Sequence, residues 1–157
     1  WRLISAKAFY IFYVLVLPLI FSDQPLWLTL VFYLIMHFTC GFIISIIFQL
    51  AHVIEETTFP QPDENGKMEN NFAIHQLHTT ANFAKNNLPL SWFVGGLNFQ
   101  IEHHLFPNIC HVHYRKISEI VKDTATEFDL PYHQNSLFGA ISSHAKHLAQ
   151  LGKYDLA

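Results

Sequence analysis

The sequence predicts an all-α membrane protein, in which a transmembrane helical hairpin precedes a cytosolic helical domain. Charged residues make up only 13% of the 157 residues, about half the share of an average soluble domain. The deficit lies in the first third of the chain, where Asp23 is the only charged residue between Ala8 and Ile54. After Glu55 the chain has the polarity of a soluble surface, and most of its eleven histidines lie there.

Residues 1–56 are predicted to form two transmembrane helices, at about 5–22 and 27–52. The first contains the apolar stretch AFYIFYVLVLPLIFS and the second the run LWLTLVFYLIMHFTCGFIISIIFQLA. About 20 apolar residues are needed to cross the hydrocarbon core of a bilayer. The tripeptide DQP between the two stretches predicts a turn, so the two helices form a hairpin with a short loop.

Basic residues orient this hairpin. Arg2 and Lys7 flank the first helix, Lys67 follows the second, and the connecting loop contains no Lys or Arg. Because lysine and arginine favour the cytoplasmic side, both ends of the hairpin are predicted to be cytoplasmic. The chain is thus expected to be an integral, multi-pass membrane protein whose polar part faces the cytoplasm.

Residues 57–157 are predicted to be the cytosolic helical part. A loop rich in Pro, Gly and Asn opens it. Apolar periodicity with capping and breaking residues then predicts four helices, over 69–86, 91–105, 113–129 and 136–151. Asn70 or Asn71 is the expected cap of the first of these helices. Gly95 and Gly96 are expected to bend the second, and Pro107 to end it.

The segment QIEHH carries the first signal of a metal site. On a helix Gln100, His103 and His104 lie at i, i+3 and i+4, so their side chains share one face. Neutral imidazole is a ligand that suits zinc, copper and iron. Taken alone, the pair has the alternative interpretation of two solvated histidines.

A second segment lies where the second span is predicted to leave the bilayer. His52, Glu55 and Glu56 have the same spacing as the polar residues of QIEHH. Ionisable groups at that depth are costly and indicate a functional site. The alternative is a helix end that meets lipid headgroups.

A third segment, FAIHQLHTTANFA, places His75, His78 and Asn82 at i, i+3 and i+7 of the predicted helix, with Gln76 beside them. An asparagine can hold a metal-bound water or bond to a neighbour. The alternative interpretation of this segment is a polar helix face.

Together the three segments indicate one polynuclear metal site supplied by several helices. A ligand set rich in His and poor in Cys argues against a structural zinc site, and the HExxH motif of zinc proteases is absent. A Gly-rich phosphate loop and a GxSxG motif are also absent. The scattered basic residues do not form a nucleic-acid footprint, so no nucleic-acid partner is expected.

The segment QIEHHLFP resembles the third histidine box of membrane fatty acid desaturases, in the variant with Gln in place of the first His. That variant is typical of front-end and linoleoyl-CoA-type enzymes. The segments WFVGGLNF and PNICHVHYRKI fit the same subgroup, HQLHTTANF is similar to its QL-x-x-T-x-N segment, and FQLAHVIEE to the end of its last membrane helix. The resemblance covers essentially the whole chain.

The resemblance implies a non-haem di-iron centre of two Fe ions, with O2 as co-substrate. The reaction that it implies inserts a cis double bond into a fatty acyl chain, carried as acyl-CoA or acyl-lipid. An electron donor such as ferredoxin or cytochrome b5, and membrane lipid, are the implied partners. The catalytic side is then the cytoplasmic one, and the cytosolic helical domain carries the histidine metal ligands.

The resemblance also assigns roles to residues. His103 and His104 match the iron-binding pair, His52 matches the additional histidine at the end of the last span, and His75 and His78 fall in a matching segment. Gln100 stands where relatives carry His or Gln. Gln100, Asn82 and Gln76 are expected to act indirectly, through a neighbouring ligand or a bound water. His111 and His113 follow the box and are not expected to be ligands.

The chain departs from the family pattern in lacking an HxxxH-type and an HxxHH-type box. In the family both boxes, with the first two spans, precede the region that matches Trp1. The chain is therefore expected to be the C-terminal half of a desaturase, to begin at a residue other than the natural start, and to be inactive alone.

Three other functions remain open from the residues. A related di-iron membrane hydroxylase would use the same metal chemistry. A haem-binding electron carrier would need paired histidines inside the bilayer, where His37 is the only deep candidate. A membrane-anchored interaction module would carry solvated histidines. QIEHHLFP favours desaturation over hydroxylation, iron content separates the metal-binding functions from the interaction module, and a haem absorption band identifies the electron carrier.

Overall fold

The computed structural model describes residues 1–153, so residues 154–157 of the predicted cytosolic part lie outside the described residues. Two compact units are formed, by residues 1–45 and by the chain from residue 46 onward. Most described residues are helical. The helix α3 begins in the first unit and ends in the second.

The first unit contains the predicted hairpin. One continuous helical segment comprises α1 (Arg2–Ile11), a π-helical stretch (Phe12–Val16) and α2 (Leu17–Phe21), and α3 (Leu26–His52) follows the turn. The π-helical stretch ends two residues before Pro18, whose ring disfavours the regular α-helical turn before it. Both helical segments are long and apolar enough to cross a membrane.

The exposed surface of these helices is apolar and aromatic. Trp27, Phe38 and Phe42 are each more than half exposed, and apolar area of this extent requires cover by something other than water. The one deep histidine, His37, donates from Nδ1 to the Tyr33 carbonyl oxygen, so in the neutral ring Nε2 accepts from the Tyr10 hydroxyl at 2.9 Å. Both ring nitrogens are thus engaged by protein, which weighs against a haem ligand here.

The second unit contains five helices and a short sheet. The helices are α4 (Phe72–Thr79), α5 (Leu88–Phe93), α6 (Gln100–Leu105), α7 (Tyr114–Glu127) and α8 (Leu137–Leu151), with a 3-10 turn at His111–His113. The strands β1 (Ala81–Phe83) and β2 (His133–Asn135) pair in parallel, with Ala81 opposite His133. The prediction of an all-α fold is therefore wrong in this detail, whereas α7 and α8 confirm the two amphipathic helices.

Two of the predicted helices differ in extent from the structure. Asn71 caps α4 through its side-chain oxygen, which accepts from the Ile74 amide, but the helix ends at Thr79 because Thr80 is extended. The predicted helix 91–105 is two helices, α5 and α6, separated by Gly95 and Gly96 in the left-handed region. The first of the pair begins earlier than predicted because Asn87 caps it.

Two apolar clusters hold the second unit together. Leu50 and Ala51 of α3 pack with Phe83 of β1 and Ala140 of α8. Leu77 of α4, Ile101 of α6, and Val121 and Ala125 of α7 form the other cluster. The end of α3 and the QIEHH helix are therefore each fixed by packing against elements distant in sequence.

Position 96 has no room for a side chain, whereas position 95 does. Both have positive φ, at +76° and +59°, but a Cβ on Gly96 would lie 2.7 Å from the Cβ of His111, whereas one on Gly95 meets nothing within 4 Å. We expect Gly95→Ala to cost about 1–2 kcal/mol from backbone strain alone, and Gly96→Ala to cost clearly more. Thermal unfolding of the full-length protein in detergent measures both. If both variants lost the same stability, the His111 side chain would be able to move aside at no cost in free energy.

Candidate metal centre

Three histidines from two elements lie side by side in the second unit. The His52 ring, at the end of α3, is 5.0 Å from the His104 ring between centroids, and the His104 and His103 rings are 5.8 Å apart. His103 and His104 lie in the last turn of the six-residue helix α6. Two of the three sequence segments predicted to share a site are thus adjacent in the fold.

Each of these imidazoles contacts protein through Nδ1. The His104 Nδ1 lies 2.6 Å from Oε1 of Gln76, the His52 Nδ1 3.2 Å from the Thr79 carbonyl oxygen, and the His103 Nδ1 3.4 Å from the Tyr114 hydroxyl. Because amide and carbonyl oxygens only accept, His52 and His104 donate from Nδ1. In that tautomer Nε2 carries the lone pair, which is the arrangement that metal-binding histidines adopt.

The site also keeps His104 neutral. Burial, with a smaller contribution from His52 and His103 when they are protonated, lowers the pKa of His104 to about 4. Burial disfavours the charged imidazolium because a low-dielectric surrounding solvates it poorly. At neutral pH the His104 ring is therefore in the form that binds a metal.

Gln100 is fully buried on the same helix, and neither its Oε1 nor its Nε2 has a hydrogen-bond partner among the described residues. The buried Nδ1 of His75 is likewise without a partner among them. An unsatisfied buried polar group is costly and calls for an unseen partner such as a bound water or ion. These orphaned atoms, with the Nδ1-anchored imidazoles, fit part of a metal centre.

The structure does not bring the whole predicted ligand set together. Within residues 1–153 there is no group of three or more His, Cys, Asp or Glu side chains that could hold a metal ion as the chain stands. His75 and His78 both lie on α4, three residues apart. The chain therefore offers donors of the right chemistry without a complete coordination sphere.

Glu55 and Glu56 point elsewhere than predicted. The helix α3 ends at His52, so the assumed helical face does not continue to the two glutamates. Glu56 accepts from the Ser143 hydroxyl at 2.6 Å, and Glu55 accepts from the Gln150 amide at 2.8 Å. Both carboxylates are thus engaged by residues of α8, and the shared spacing with QIEHH has no structural counterpart.

Asn82 lies on β1 instead of the predicted helix, so it does not share a helical face with His75 and His78. Its Oδ1 accepts from the Ile101 backbone amide at 3.0 Å, and its Nδ2 donates to Oε2 of Glu102 at 2.8 Å. Its contacts are thus with the helix that carries His103 and His104. The indirect role predicted for Asn82, through a neighbouring ligand or a bound water, stays a prediction.

Glu102 is a residue of the site that the sequence analysis did not select. It is fully buried, directly before His103, and its Oε1 accepts from the Tyr132 hydroxyl at 2.9 Å while Asn82 holds Oε2. Lys85 donates to the same hydroxyl at 3.4 Å and forms an ion pair with Glu119 at 3.1 Å. Burial raises the pKa of Glu102, and the hydrogen bonds from Asn82 and Tyr132 oppose that rise.

Two further histidines, His133 and His144, lie outside the three segments that the sequence analysis singled out. His144 of α8 donates from Nδ1 to the carbonyl oxygen of Val53, the residue after His52. His133 on β2 is half-buried, and burial lowers its pKa, with the nearby His78 acting in the same direction. His111, by contrast, is exposed and packs over Gly96; that it is not a ligand stays a prediction.

Known proteins match most of this chain. The family model of fatty acid desaturases matches residues 1–136. The sn-1 linoleoyl-lipid 6-desaturase of Synechocystis sp. is 48% identical over 119 residues, which are 74% of this chain and 33% of the relative. The acyl-lipid (8-3)-desaturase of Physcomitrium patens is 41% identical over 153 residues, 94% of this chain and 31% of the relative.

A third relative, the sn-1 linoleoyl-lipid 6-desaturase of Arthrospira platensis, is 40% identical over 151 residues, 95% of this chain and 40% of the relative. The chain thus spans about a third of the length of the relatives it matches. No solved structure matches it.

The buried carboxylate yields a stability prediction. Glu102 faces two donors, and a glutamine side chain in its place would present one acceptor and one donor to them, so we expect Glu102→Gln to cost about 1–3 kcal/mol. Glu119→Gln is the matched control, because Glu119 is exposed and we expect little change there. Thermal unfolding of the full-length protein measures both variants. If they were equally stable, the Glu102 network would contribute nothing to the fold.

Proposed function

The chain belongs to the fatty acid desaturase family, and we propose on that basis that the full-length protein inserts a cis double bond into a fatty acyl chain with O2 and a non-haem di-iron centre. The family assignment confirms the resemblance seen in QIEHHLFP. The observation that carries the proposal is the group of three neighbouring histidines, two of them anchored through Nδ1 to carbonyl oxygens. Solvated surface histidines have no need of such anchoring.

The metals would be held by two groups of histidines. The first has Nδ1 in contact with protein, which leaves Nε2 for a metal; the second lies in the α4 segment that resembles the family. The proposed ligands are His52, His103, His104, His75 and His78. Gln76 acts indirectly by fixing the His104 ring, Asn82 by fixing the start of α6, and Gln100 through its buried, unpartnered amide. The remaining ligands are proposed to come from HxxxH-type and HxxHH-type boxes outside this chain.

The chemistry that a bound di-iron centre supplies is activation of O2 for removal of two hydrogens from adjacent methylene carbons. With two electrons and two protons, the balanced reaction yields one double bond and two waters. The electrons are proposed to come from a ferredoxin or a cytochrome b5. This chain's own part is to keep the His104 imidazole neutral and to hold the rings of His52, His103 and His104 half-buried beside one another.

The substrate is proposed to be an acyl lipid. The names of the most similar relatives cited above, two linoleoyl-lipid 6-desaturases and an acyl-lipid (8-3)-desaturase, favour acyl-lipid over acyl-CoA. The enzyme is proposed to be a multi-pass membrane protein with its catalytic side in the cytoplasm. Arg2, Lys7 and Lys67 support that orientation.

Iron and product together test the proposed function. The full-length protein, expressed in a host without the product and purified in detergent, should contain two irons per chain, and the host should gain one new unsaturated fatty acid by gas chromatography. Residues 1–157 expressed alone should give neither the product nor a full iron complement. Absence of both iron and new unsaturation in the full-length protein would favour an interaction module.

Variants of His104 and His111 distinguish a proposed metal ligand from a histidine that is not expected to bind metal. We expect His104→Ala to abolish the product and lower iron content, because it removes an anchored, half-buried imidazole. The exposed His111→Ala is the control and should keep most of the activity. Normal product from His104→Ala, with the protein correctly inserted, would disprove the metal assignment. Complete loss in His111→Ala would mean that the site extends further along the chain.

Gln76 gives a finer test of the same site. Gln76→Leu removes the oxygen that accepts from Nδ1 of His104, and losing such an orienting partner typically weakens metal binding about 10–100-fold. Gln76→Glu keeps the acceptor and should retain affinity. Gln134→Leu, on the exposed part of β2, is the control. Iron loss to a competing chelator measures affinity, and identical curves for Gln76→Leu and the control would exclude the orienting role.

A further inference from the structure

Tyr132 lies outside every sequence segment that pointed to the candidate metal centre, yet its side chain reaches the helix that carries two of the proposed ligands. It stands directly before β2, and its hydroxyl contacts Glu102, 30 residues earlier in the chain. Its ring packs against the apolar cluster of Leu77, Ile101, Val121 and Ala125. Packing accounts for the ring, and the hydroxyl group has a separate function.

The Tyr132 hydroxyl has a partner for each of its hydrogen-bonding positions. Nδ2 of Asn82 lies 2.8 Å away and Nζ of Lys85 lies 3.4 Å away, and both groups only donate. The single proton of the hydroxyl is therefore directed to Oε1 of Glu102, at 2.9 Å. Asn82 keeps this orientation because its Oδ1 accepts from the Ile101 amide while its Nδ2 also donates to Oε2 of Glu102.

The helix α6, to which Glu102 belongs, depends on contacts of this kind. It has only six residues, and its N-cap, Phe99, makes no side-chain cap hydrogen bond within residues 1–153. A helix of that length is unstable by itself, because its nucleation costs more free energy than its few hydrogen bonds provide. Tertiary contacts therefore set its position, through Asn82 at its first turn, Gln76 at its last turn and the Glu102 carboxylate between them.

Glu102 lies on the side of α6 that faces away from the proposed ligands. Successive residues of an α-helix are about 100° apart around the axis, so the Glu102 side chain points away from the face that His103 and His104 share. Its contacts are with Asn82 and Tyr132. These groups can therefore affect a metal through the position of α6 and not as ligands.

We propose that Tyr132 is a positioning residue of the metal centre, which acts through the Glu102 carboxylate on helix α6. Held in this way, α6 presents His103 and His104 to iron in one fixed arrangement. Lys85 supports the contact, because its ammonium group donates to the same hydroxyl and lies 5.2 Å from the centre of the Tyr132 ring. A cation there polarises the hydroxyl and strengthens its hydrogen bond to the carboxylate. The proposal rests on the proposed function in taking the two histidines as iron ligands.

Removing the hydroxyl alone tests this role. Tyr132→Phe keeps the ring in the apolar cluster and leaves Asn82 as the side-chain donor to Glu102. Ser143→Ala is the matched control, because it also deletes a hydroxyl that donates to a glutamate, but on α8 and to Glu56. The full-length proteins are loaded with iron, their Mössbauer spectra are recorded, and iron loss to a competing chelator is followed well below their unfolding temperatures.

We expect Tyr132→Phe to lose iron about tenfold faster than the wild type and to give an altered Mössbauer spectrum. Ser143→Ala should keep the wild-type rate and spectrum, even if it unfolds at a lower temperature. Equal behaviour of the two variants, whether slow or fast, would overturn the proposal. A wild-type protein that binds no iron would overturn the proposed function as well, whereas iron held equally well by the wild type and Tyr132→Phe would overturn the positioning role alone.

Lys85→Met tests the same network from its outer end and decides the question if Tyr132→Phe misfolds. It removes the ammonium group without changing the apolar cluster. Glu119→Gln is its control, because it removes the ion pair of Lys85 and leaves the contact of Lys85 with the Tyr132 hydroxyl. We expect faster iron loss from Lys85→Met and a wild-type rate from Glu119→Gln. Identical rates for these two variants would contradict the proposal.

Discussion

The Glu102 carboxylate is the contact on which the candidate site depends most. A buried carboxylate is costly unless donors surround it, and here Asn82 and Tyr132 each give it a hydrogen bond. Asn82 also accepts from the Ile101 amide, so β1 holds both the first turn of α6 and its buried charge. The two histidines that follow Glu102 take their directions from this anchor.

Around that anchor, each imidazole is oriented by a different part of the fold. His104 takes its Nδ1 partner from α4, His52 from the carbonyl at the end of α4, and His103 from the first residue of α7. Each of these partners is distant in sequence from the histidine it orients or lies beyond a break in the helix. The arrangement of the three Nδ1 contacts is therefore a product of packing and not of one motif.

Two short connections lead into the candidate site. The end of α3 carries His52 directly, and α5 leads through two glycines into the helix of His103 and His104. Gly96 is needed in the second connection because its φ is positive and His111 packs against it.

The sequence by itself determined the long elements and the family. Apolar runs predicted the two candidate spans, periodicity predicted α7 and α8, and QIEHHLFP predicted the family, since each signal lies within a few turns of chain. The strands β1 and β2 were not predicted, because three-residue strands have no periodicity of their own and pair across a large sequence separation. Gly95 and Gly96 predicted a bend, but the pattern did not show that the bend separates two helices.

Only the tertiary structure decided which polar groups meet. The spacing of Glu55 and Glu56 predicted a place beside His52, but the end of α3 directs them to Ser143 and Gln150 of α8. No residue pattern pointed to Glu102, yet its buried carboxylate accepts from Asn82 and Tyr132 and so fixes the helix that carries His103 and His104. Hydrogen-bond partners are selected by which surfaces pack together, and local residue patterns do not encode that choice.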